Sequence, residues 1–146
     1  MMKKTLLALC ALTVLSGCGH KKWNRGCGSH VAHQQMMGET VWFELNSAAL
    51  SNVATATLKQ QAEWLHANPT SMAKIEGHAD ERGTREYNLA LGEKRAMAVK
   101  NFLVHHGVDA QRLSTVSYGK EKPAVIGHNE EAWTKNRRSE IVLWSK

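Results

Sequence analysis

The pattern of apolar and polar positions predicts four strands and three helices between residue 40 and the C-terminus. Stretches with β-branched residues and alternation are each followed by stretches with helical periodicity. The predicted strands are Val41–Asn46, Met72–His78, Leu113–Tyr118 and Ile141–Trp144, and the predicted helices run from about Ser51 to Ala67, Arg85 to His106 and Asn129 to Arg137. This β-α-β-α-β-α-β order favours helices packed on an at least partly parallel sheet.

The first two predicted helices carry distinct stripes. Apolar residues of the first helix share one face: Val53, Leu58, Ala62 and Leu65. The second places Asn88, Gly92, Arg95 and Val99 on one face and ends before Gly107, a typical C′ residue. A glycine inside a helix costs about 1 kcal/mol relative to alanine, so Gly92 suggests the close approach of a ligand or of another backbone.

Residues 1–17 have the pattern of a secretory signal, with Lys3 and Lys4 before a short apolar run. The run is too short to span a bilayer. Leu15-Ser16-Gly17-Cys18 resembles a lipobox, in which Cys18 becomes the lipid-bearing N-terminus, although an ordinary signal peptide beside a cysteine is the alternative. In the lipoprotein pattern, glycine at position 19 implies the outer membrane. Residues 18–39 then form a lipidated N-terminus and flexible tether, and residues 40–146 form the domain.

Cysteine usage and charge narrow the function further. Cys10 leaves with the signal and Cys18 carries lipid, so Cys27 has no internal partner and the domain should fold without disulfides. The formal net charge is +6, but the basic residues are scattered among acidic ones. Nucleic-acid-binding proteins concentrate positive charge, so this distribution and the export signal argue against such a partner.

The candidate chemistry lies just after the second predicted strand. Asp80 is in a loop position where α/β architectures commonly form sites, and Arg95 faces it from the following helix. The two residues could form a structural ion pair, or they could be held apart to bind a zwitterion. Arginine donates two parallel hydrogen bonds to a carboxylate, and aspartate suits an ammonium. The residues alone favour the structural pair.

A longer set of motifs changes that weighting. From Gly77 to Ala96 the chain reads Gly-His-Ala-Asp-Glu-Arg-Gly-Thr-x-Glu-Tyr-Asn-x-Ala-Leu-Gly-x-x-Arg-Ala. This stretch resembles the peptidoglycan-binding domain of the OmpA-like family, and especially its lipoprotein branch. Further matches are Gly107–Asp109, Thr115–Val125, Gly127–Trp133 and Lys135–Arg138. The likeness covers roughly residues 40 to 144, together with the lipobox, and implies an α+β domain with helices packed on a mixed four-stranded sheet.

The resemblance implies a ligand, the diaminopimelate residue of peptidoglycan stem peptides, which carries an ammonium and a carboxylate on one carbon. Asp80 would accept from the ammonium, Arg95 would clamp the carboxylate and Asn88 would orient the same ligand. Weaker candidates for the remaining pocket are Arg82, Thr84 and Arg138, with Arg137 as a solvated neighbour. Relatives in this branch also contact TolB and other Tol proteins, which serve envelope integrity and constriction at division, through a surface overlapping the peptidoglycan site.

The first strand departs from the family pattern. Relatives commonly read Phe-Asp-Phe-Asp where this chain has Phe43-Glu44-Leu45-Asn46. Main-chain contacts from Glu44 would survive this change, but a carboxylate contact at Asn46 would not.

Two other classes of function compete with binding to peptidoglycan. An enzyme acting on the cell wall is one, since His78 with Asp80 resembles a fragment of a metal site. Catalytic zinc normally needs three protein ligands, and the chain carries no common catalytic motif, so we expect no enzyme activity, metal or cofactor. A purely protein-binding adaptor is the other, and for this the sequence shows no separate interface. Trp133 and Trp144 are interpreted as core residues.

Overall fold

Four strands and three α-helices follow one another in the order that the sequence predicts. The structure, a computed structural model, describes residues 40–145, with side chains to residue 143. The strands are β1 (Val41–Trp42), β2 (Ser71–His78), β3 (Leu113–Gly119) and β4 (Arg138–Ser145), and the helices are α1 (Asn52–Ala67), α2 (Arg85–His105) and α3 (Glu130–Asn136). A short 3-10 helix, Ala110–Arg112, precedes β3 and was not predicted. The predictions for the signal, the lipobox and the tether fall outside the described residues.

The strands form one mixed sheet in the order β1-β4-β2-β3. β2 and β3 pair in parallel, and β4 is antiparallel to both β1 and β2. The parallel pair is joined through α2, which packs on both of its strands. This arrangement confirms the predicted α+β class and the mixed four-stranded sheet.

The helix ends form where local sequence directs them. Ser51, Thr84 and Asn129 are the N-caps of the three helices, and each side-chain oxygen accepts from the backbone N–H three residues later, at 3.1, 3.2 and 2.9 Å. Such caps satisfy backbone donors that the first helical turn leaves unpaired. Gly107 follows α2 with φ 89°, the left-handed conformation typical of a C′ glycine.

The hydrophobic core lies between the two longer helices and one face of the sheet. Leu58 and Leu65 of α1 meet Val99 and Leu103 of α2 there, all with no exposed surface. The sheet contributes Val41 of β1, Ala73 and Ile75 of β2, Leu113 of β3 and Ile141 of β4, and Phe43 joins them from the residues after β1.

Two predictions about these elements are wrong in detail. Val53 is 77% exposed, because Ala54, four residues before Leu58, occupies the buried face of α1 instead. The first strand ends at Trp42 rather than Asn46. The chain turns at Leu45 and Asn46, and Asn46 has φ 53°, a conformation that asparagine tolerates better than most residues.

The close approach predicted at Gly92 is made by a second glycine. A Cβ atom on Gly77 of β2 would overlap the Gly92 carbonyl oxygen and lie 2.6 Å from its carbon. A Cβ atom on Gly92 would lie 2.9 Å from the Gly77 carbonyl oxygen and would overlap the Ser117 hydroxyl. The neighbour of Gly92 is therefore the backbone of β2, and this contact sets the distance between α2 and the end of β2 that leads into the Asp80 loop.

Candidate functional site

The candidate site is built on the loop from Ala79 to Thr84, which joins the end of β2 to the start of α2. The Ala79 N–H donates to the Gly119 carbonyl at 2.8 Å, so the loop leaves the sheet beside the end of β3. Carboxyl ends of neighbouring parallel strands are common positions for ligand sites. The loop therefore begins at the end of the sheet where the sequence predicted a site.

Asp80 is buried in this loop and paired with two arginines. Its Oδ1 accepts from the backbone N–H of Arg82 at 3.0 Å and from Arg82 Nε at 3.1 Å. Its Oδ2 accepts from Arg82 Nη2 at 2.7 Å, and Arg137 Nη1 lies 3.5 Å away. Burial alone would raise the pKa of Asp80, but the hydrogen bonds and charge of Arg82 outweigh it and hold this pKa below its ordinary value. Asp80 is therefore an anion at neutral pH.

The loop around Asp80 is held by side chains from two other segments. Asn88 of α2, 1% exposed, donates to the Arg82 carbonyl at 2.9 Å. Lys120 Nζ donates to the Gly83 carbonyl at 2.7 Å. Thr84 caps α2 from the end of the loop. In this structure Asn88 and Thr84 thus shape the loop backbone.

Arg95 is the largest fully buried side chain among the described residues. Its guanidinium donates to three carbonyls, those of Glu44, Ser47 and His78, at 3.0, 2.9 and 2.8 Å. Burial lowers the pKa of Arg95 to about 10, and the negative charge of Asp80 opposes this effect. The guanidinium remains charged at neutral pH and joins the β1–α1 segment to the end of β2.

The structural ion pair between Asp80 and Arg95, which the residues alone favoured over a binding site, is not formed. Among the side chains of residues 40–143, Asp80 makes its ion pairs with Arg82 and Arg137, and Arg95 is occupied by carbonyl oxygens. Both residues have partners from other parts of the chain, which are Arg137 for Asp80 and the carbonyls of Glu44 and Ser47 for Arg95.

Arg137 is wrongly predicted as a solvated neighbour. It is 5% exposed, and its Nε donates to the Phe43 carbonyl at 3.1 Å. Its Nη1 lies 2.9 Å from Glu130 Oε1 as well as near Asp80. The end of α3 turns the residue inward, so Arg137 links α3, the residue that follows β1 and the Asp80 loop.

The remaining predicted residues, Arg138 and Glu44, contact other partners than Asp80. Arg138 pairs with Glu140 on β4 and reaches towards the Lys122 carbonyl, on the other face of the sheet from the core. Glu44 contributes its backbone carbonyl to Arg95, while the residue itself is exposed. The contact with Arg95 uses the backbone of Glu44, so it does not depend on the side chain that departs from the family pattern.

A second cluster beside the loop was missed from sequence. Glu81 accepts from the Trp133 indole N–H at 2.8 Å and pairs with His128 at 2.7 Å. The Arg82 guanidinium lies over the Trp133 ring, 4.1 Å from its centroid. Trp133 is thus half-buried at the site and is not a core residue, contrary to the prediction. The polar character of Glu81 and Arg82 in the same motif was the available signal.

No helix within residues 40–145 is both long and apolar enough to cross a membrane.

The sheet order and the loop after β2 define a class of domain, and comparisons with known proteins agree on it. A model of the OmpA family matches residues 42–137. The peptidoglycan-associated lipoprotein of Pasteurella multocida is 42% identical, over 97% of this chain and 97% of that protein. The corresponding lipoprotein of Agrobacterium fabrum is 40% identical, over 94% of this chain and 86% of its own length.

A solved structure supports the same assignment. The crystal structure of the peptidoglycan-associated lipoprotein from Burkholderia pseudomallei superposes with a TM-score of 0.71 and 44% identity, covering 72% of this chain and 89% of that one. The chain therefore belongs to the OmpA family, in its branch of peptidoglycan-associated lipoproteins. These relatives are named for association with peptidoglycan and not for an enzymatic activity.

Proposed function

We propose that this chain binds peptidoglycan non-covalently through the diaminopimelate of stem peptides, and that lipid on Cys18 anchors it in the outer membrane. One observation carries the proposal. A buried carboxylate, Asp80, and a buried guanidinium, Arg95, are close enough for their charges to interact, yet they are not paired with each other. Two opposite charges held in this way suit a ligand with an ammonium and a carboxylate on one carbon.

The ammonium of the ligand would be bound by Asp80. In the structure Arg82 occupies both oxygens of that carboxylate, but the Arg82 side chain is 33% exposed, and a single loop carries both residues. A ligand ammonium can displace the exposed arginine while Arg137 stays beneath the carboxylate. The displaced Arg82 then remains next to the ligand, where its guanidinium can contact an anionic group.

The carboxylate of the ligand would be bound by Arg95. An arginine has five N–H donors, and three of them are committed to the carbonyls of Glu44, Ser47 and His78. Two donors remain for the ligand carboxylate, which would reach them when the surrounding loop opens, because Arg95 has no exposed surface in the structure. Because the carbonyls fix the plane of the guanidinium, little side-chain entropy is lost on binding.

Other residues shape this site. Asn88 and Thr84 hold the loop that presents Asp80, and the Glu44 backbone lies beside Arg95. Arg138, which pairs with Glu140 on β4, would be reached by a larger peptidoglycan fragment. We propose that all of these act in binding without cleavage of the cell wall.

The cellular role proposed for the chain is that of its lipoprotein branch. It would tether the outer membrane to the cell wall and contact TolB and other Tol proteins during envelope constriction. If the Tol contact overlaps the Asp80 loop, added peptidoglycan fragments should compete with TolB for the protein.

Cosedimentation with purified sacculi tests the binding site. Loss of one partner of a desolvated charged contact costs about 2–5 kcal/mol of binding, which is roughly a 30-fold loss or more. We expect that loss for Asp80→Ala, and a comparable one for Arg95→Lys, because an ammonium cannot replace the planar fork. Arg85→Ala is a matched control, since Arg85 is an exposed arginine at the start of α2 that pairs with Glu121. Variants that fold and bind like the wild type would contradict the site.

The ligand itself is tested with two soluble stem peptides. One contains diaminopimelate, and the other has lysine at the same position, which keeps the ammonium and lacks the second carboxylate. The diaminopimelate peptide should release the protein from sacculi, and the lysine peptide should do so much less effectively. Equal competition by both peptides would contradict recognition of the carboxylate, and release of soluble wall fragments by the protein would contradict binding without cleavage.

A further inference from the structure

The sheet face opposite the core carries two carboxylates and an imidazole in one small group. Ala73 and Ile75 of β2 lie in the core, so the alternate residues Glu76 and His78 are on the other face. Glu140 of β4 lies directly across from Glu76 in the antiparallel pair. One oxygen or nitrogen atom from each of Glu76, His78 and Glu140 lies within 4.8 Å of the other two.

His78 is the unusual member of this group. Its side chain is 1% exposed, and within residues 40–143 neither ring nitrogen has a hydrogen-bond partner. The backbone of Lys122 is close but outside hydrogen-bonding geometry, and Tyr118 makes a ring contact at 5.5 Å between centroids. Native proteins leave few buried polar groups without a partner, and each such group calls for an explanation. An imidazole nitrogen beside two carboxylates is a common metal ligand.

We propose that Glu76, His78 and Glu140 together bind one divalent transition-metal ion of the zinc type. One nitrogen and two oxygens are a ligand set that zinc accepts in sites with three protein ligands. The imidazole disfavours magnesium and calcium, which prefer oxygen ligands. This site is separate from the Asp80 loop and does not depend on peptidoglycan binding.

Metal binding would require the three ligand atoms to move slightly closer together. Ligand atoms about 2.1 Å from a tetrahedral ion lie about 3.4 Å apart, and in the structure the three atoms lie within 4.8 Å of one another. The imidazole is held by its burial, whereas the Glu76 and Glu140 side chains are 13% and 38% exposed. The two glutamates can therefore turn towards His78 without repacking the core.

Two cations compete with the ion. Lys74 contacts Glu76 Oε1 at 2.7 Å, and Arg138 contacts Glu140 Oε1. In both pairs the Oε2 atom is left to ligate the metal. Metal binding must overcome the repulsion of these cations, so removal of Lys74 should strengthen it, whereas a purely structural role for the group predicts no such gain.

Zinc titration of the full lipidated chain in detergent, after removal of metal with EDTA, tests the proposal. The N-terminal segment contains further histidines and Cys27, so the readout is the difference between variants in the number and affinity of bound ions. Compared with the wild type, Glu140→Gln and His78→Gln should lose one equivalent or bind it at least tenfold more weakly. His105→Gln is the matched control, because His105 is an exposed histidine at the end of α2.

A second readout covers variants that fold poorly. Zinc should raise the melting temperature of the wild type and of His105→Gln, because the ion binds the folded site, and should raise that of Glu140→Gln by much less. If His78→Gln does not fold by circular dichroism, Glu140→Gln and Glu76→Gln decide the outcome. Zinc binding by these two variants with unchanged stoichiometry and affinity would overturn the proposal.

Discussion

Replacement of Gly77 by alanine should destabilise the domain strongly, because the added methyl group has no room. The new Cβ atom would overlap the Gly92 carbonyl oxygen and lie 2.6 Å from the Gly92 carbonyl carbon. Ordinary contacts between such atoms are about 3.5 Å, so α2 and β2 would have to separate by roughly 1 Å to clear the carbon and by more to clear the oxygen. Both partners are backbone, and no side-chain rotation can relieve the overlap.

The magnitude follows from the cost of overpacking. Extra methylene groups in a packed core typically cost about 1–3 kcal/mol, and an overlap with fixed backbone should reach or exceed the upper end of that range. For a domain of this size, 3 kcal/mol corresponds to a fall in melting temperature of roughly 12 °C or more. Urea denaturation and thermal melting followed by circular dichroism measure both quantities.

Two matched glycines calibrate this expectation. Gly92→Ala meets the movable hydroxyl of Ser117 as well as the Gly77 carbonyl, and it gains about 1 kcal/mol of helix propensity, so its net cost should be smaller. Gly127→Ala meets the Ala132 methyl group at 3.0 Å in a loop and should change stability least. If Gly77→Ala unfolds within 1 kcal/mol of the wild type, the close contact between α2 and β2 is not a constraint on the fold.

Three further predictions concern the site and the anchor. Because the folded-state pKa of Asp80 is lowered, its ionised form stabilises the domain at neutral pH. This contribution should disappear as pH falls below about 4. The unfolding free energies of wild type and Asp80→Asn, measured by urea denaturation, should therefore become equal in acid. Trp133→Phe removes the indole hydrogen bond that is the largest single cause of the lowered pKa of Glu81, so that pKa should rise in a carboxyl NMR titration. Cys18→Ala should abolish incorporation of labelled palmitate and release the protein from outer membranes.

Each of these has an outcome that contradicts it. A constant difference in stability between wild type and Asp80→Asn from pH 7 to pH 2 would mean that the Asp80 charge does not contribute. An unchanged Glu81 titration in Trp133→Phe would mean that the indole hydrogen bond does not lower the pKa of Glu81. Palmitate still bound to the Cys18→Ala protein would show that the lipobox interpretation is wrong.

Part of the candidate site could be predicted from the sequence and part could not. The motif around Asp80 and Arg95 identified two buried charged residues, because both lie within one strand–loop–helix unit. Their partners were not predictable. Arg95 donates to carbonyls of Glu44 and Ser47, which are about fifty residues earlier in the chain. Asp80 pairs with Arg137, which lies much later in the chain. Contacts of that kind depend on how the segments pack, and no local pattern encodes them.

The sequence by itself determined the order of the elements, their caps and the sheet class. Ser51, Thr84 and Asn129 cap their helices by bonds to residues three positions away, and such bonds form wherever the segment folds. Only the tertiary structure decided that Val53 is exposed, that the partner of Gly92 is Gly77, and that Glu140 lies across from Glu76. The physical reason is the separation along the chain between the groups that make each kind of contact. Caps and periodicity are satisfied within one or two turns of chain, whereas burial and strand register are settled by surfaces that meet only when the chain has folded.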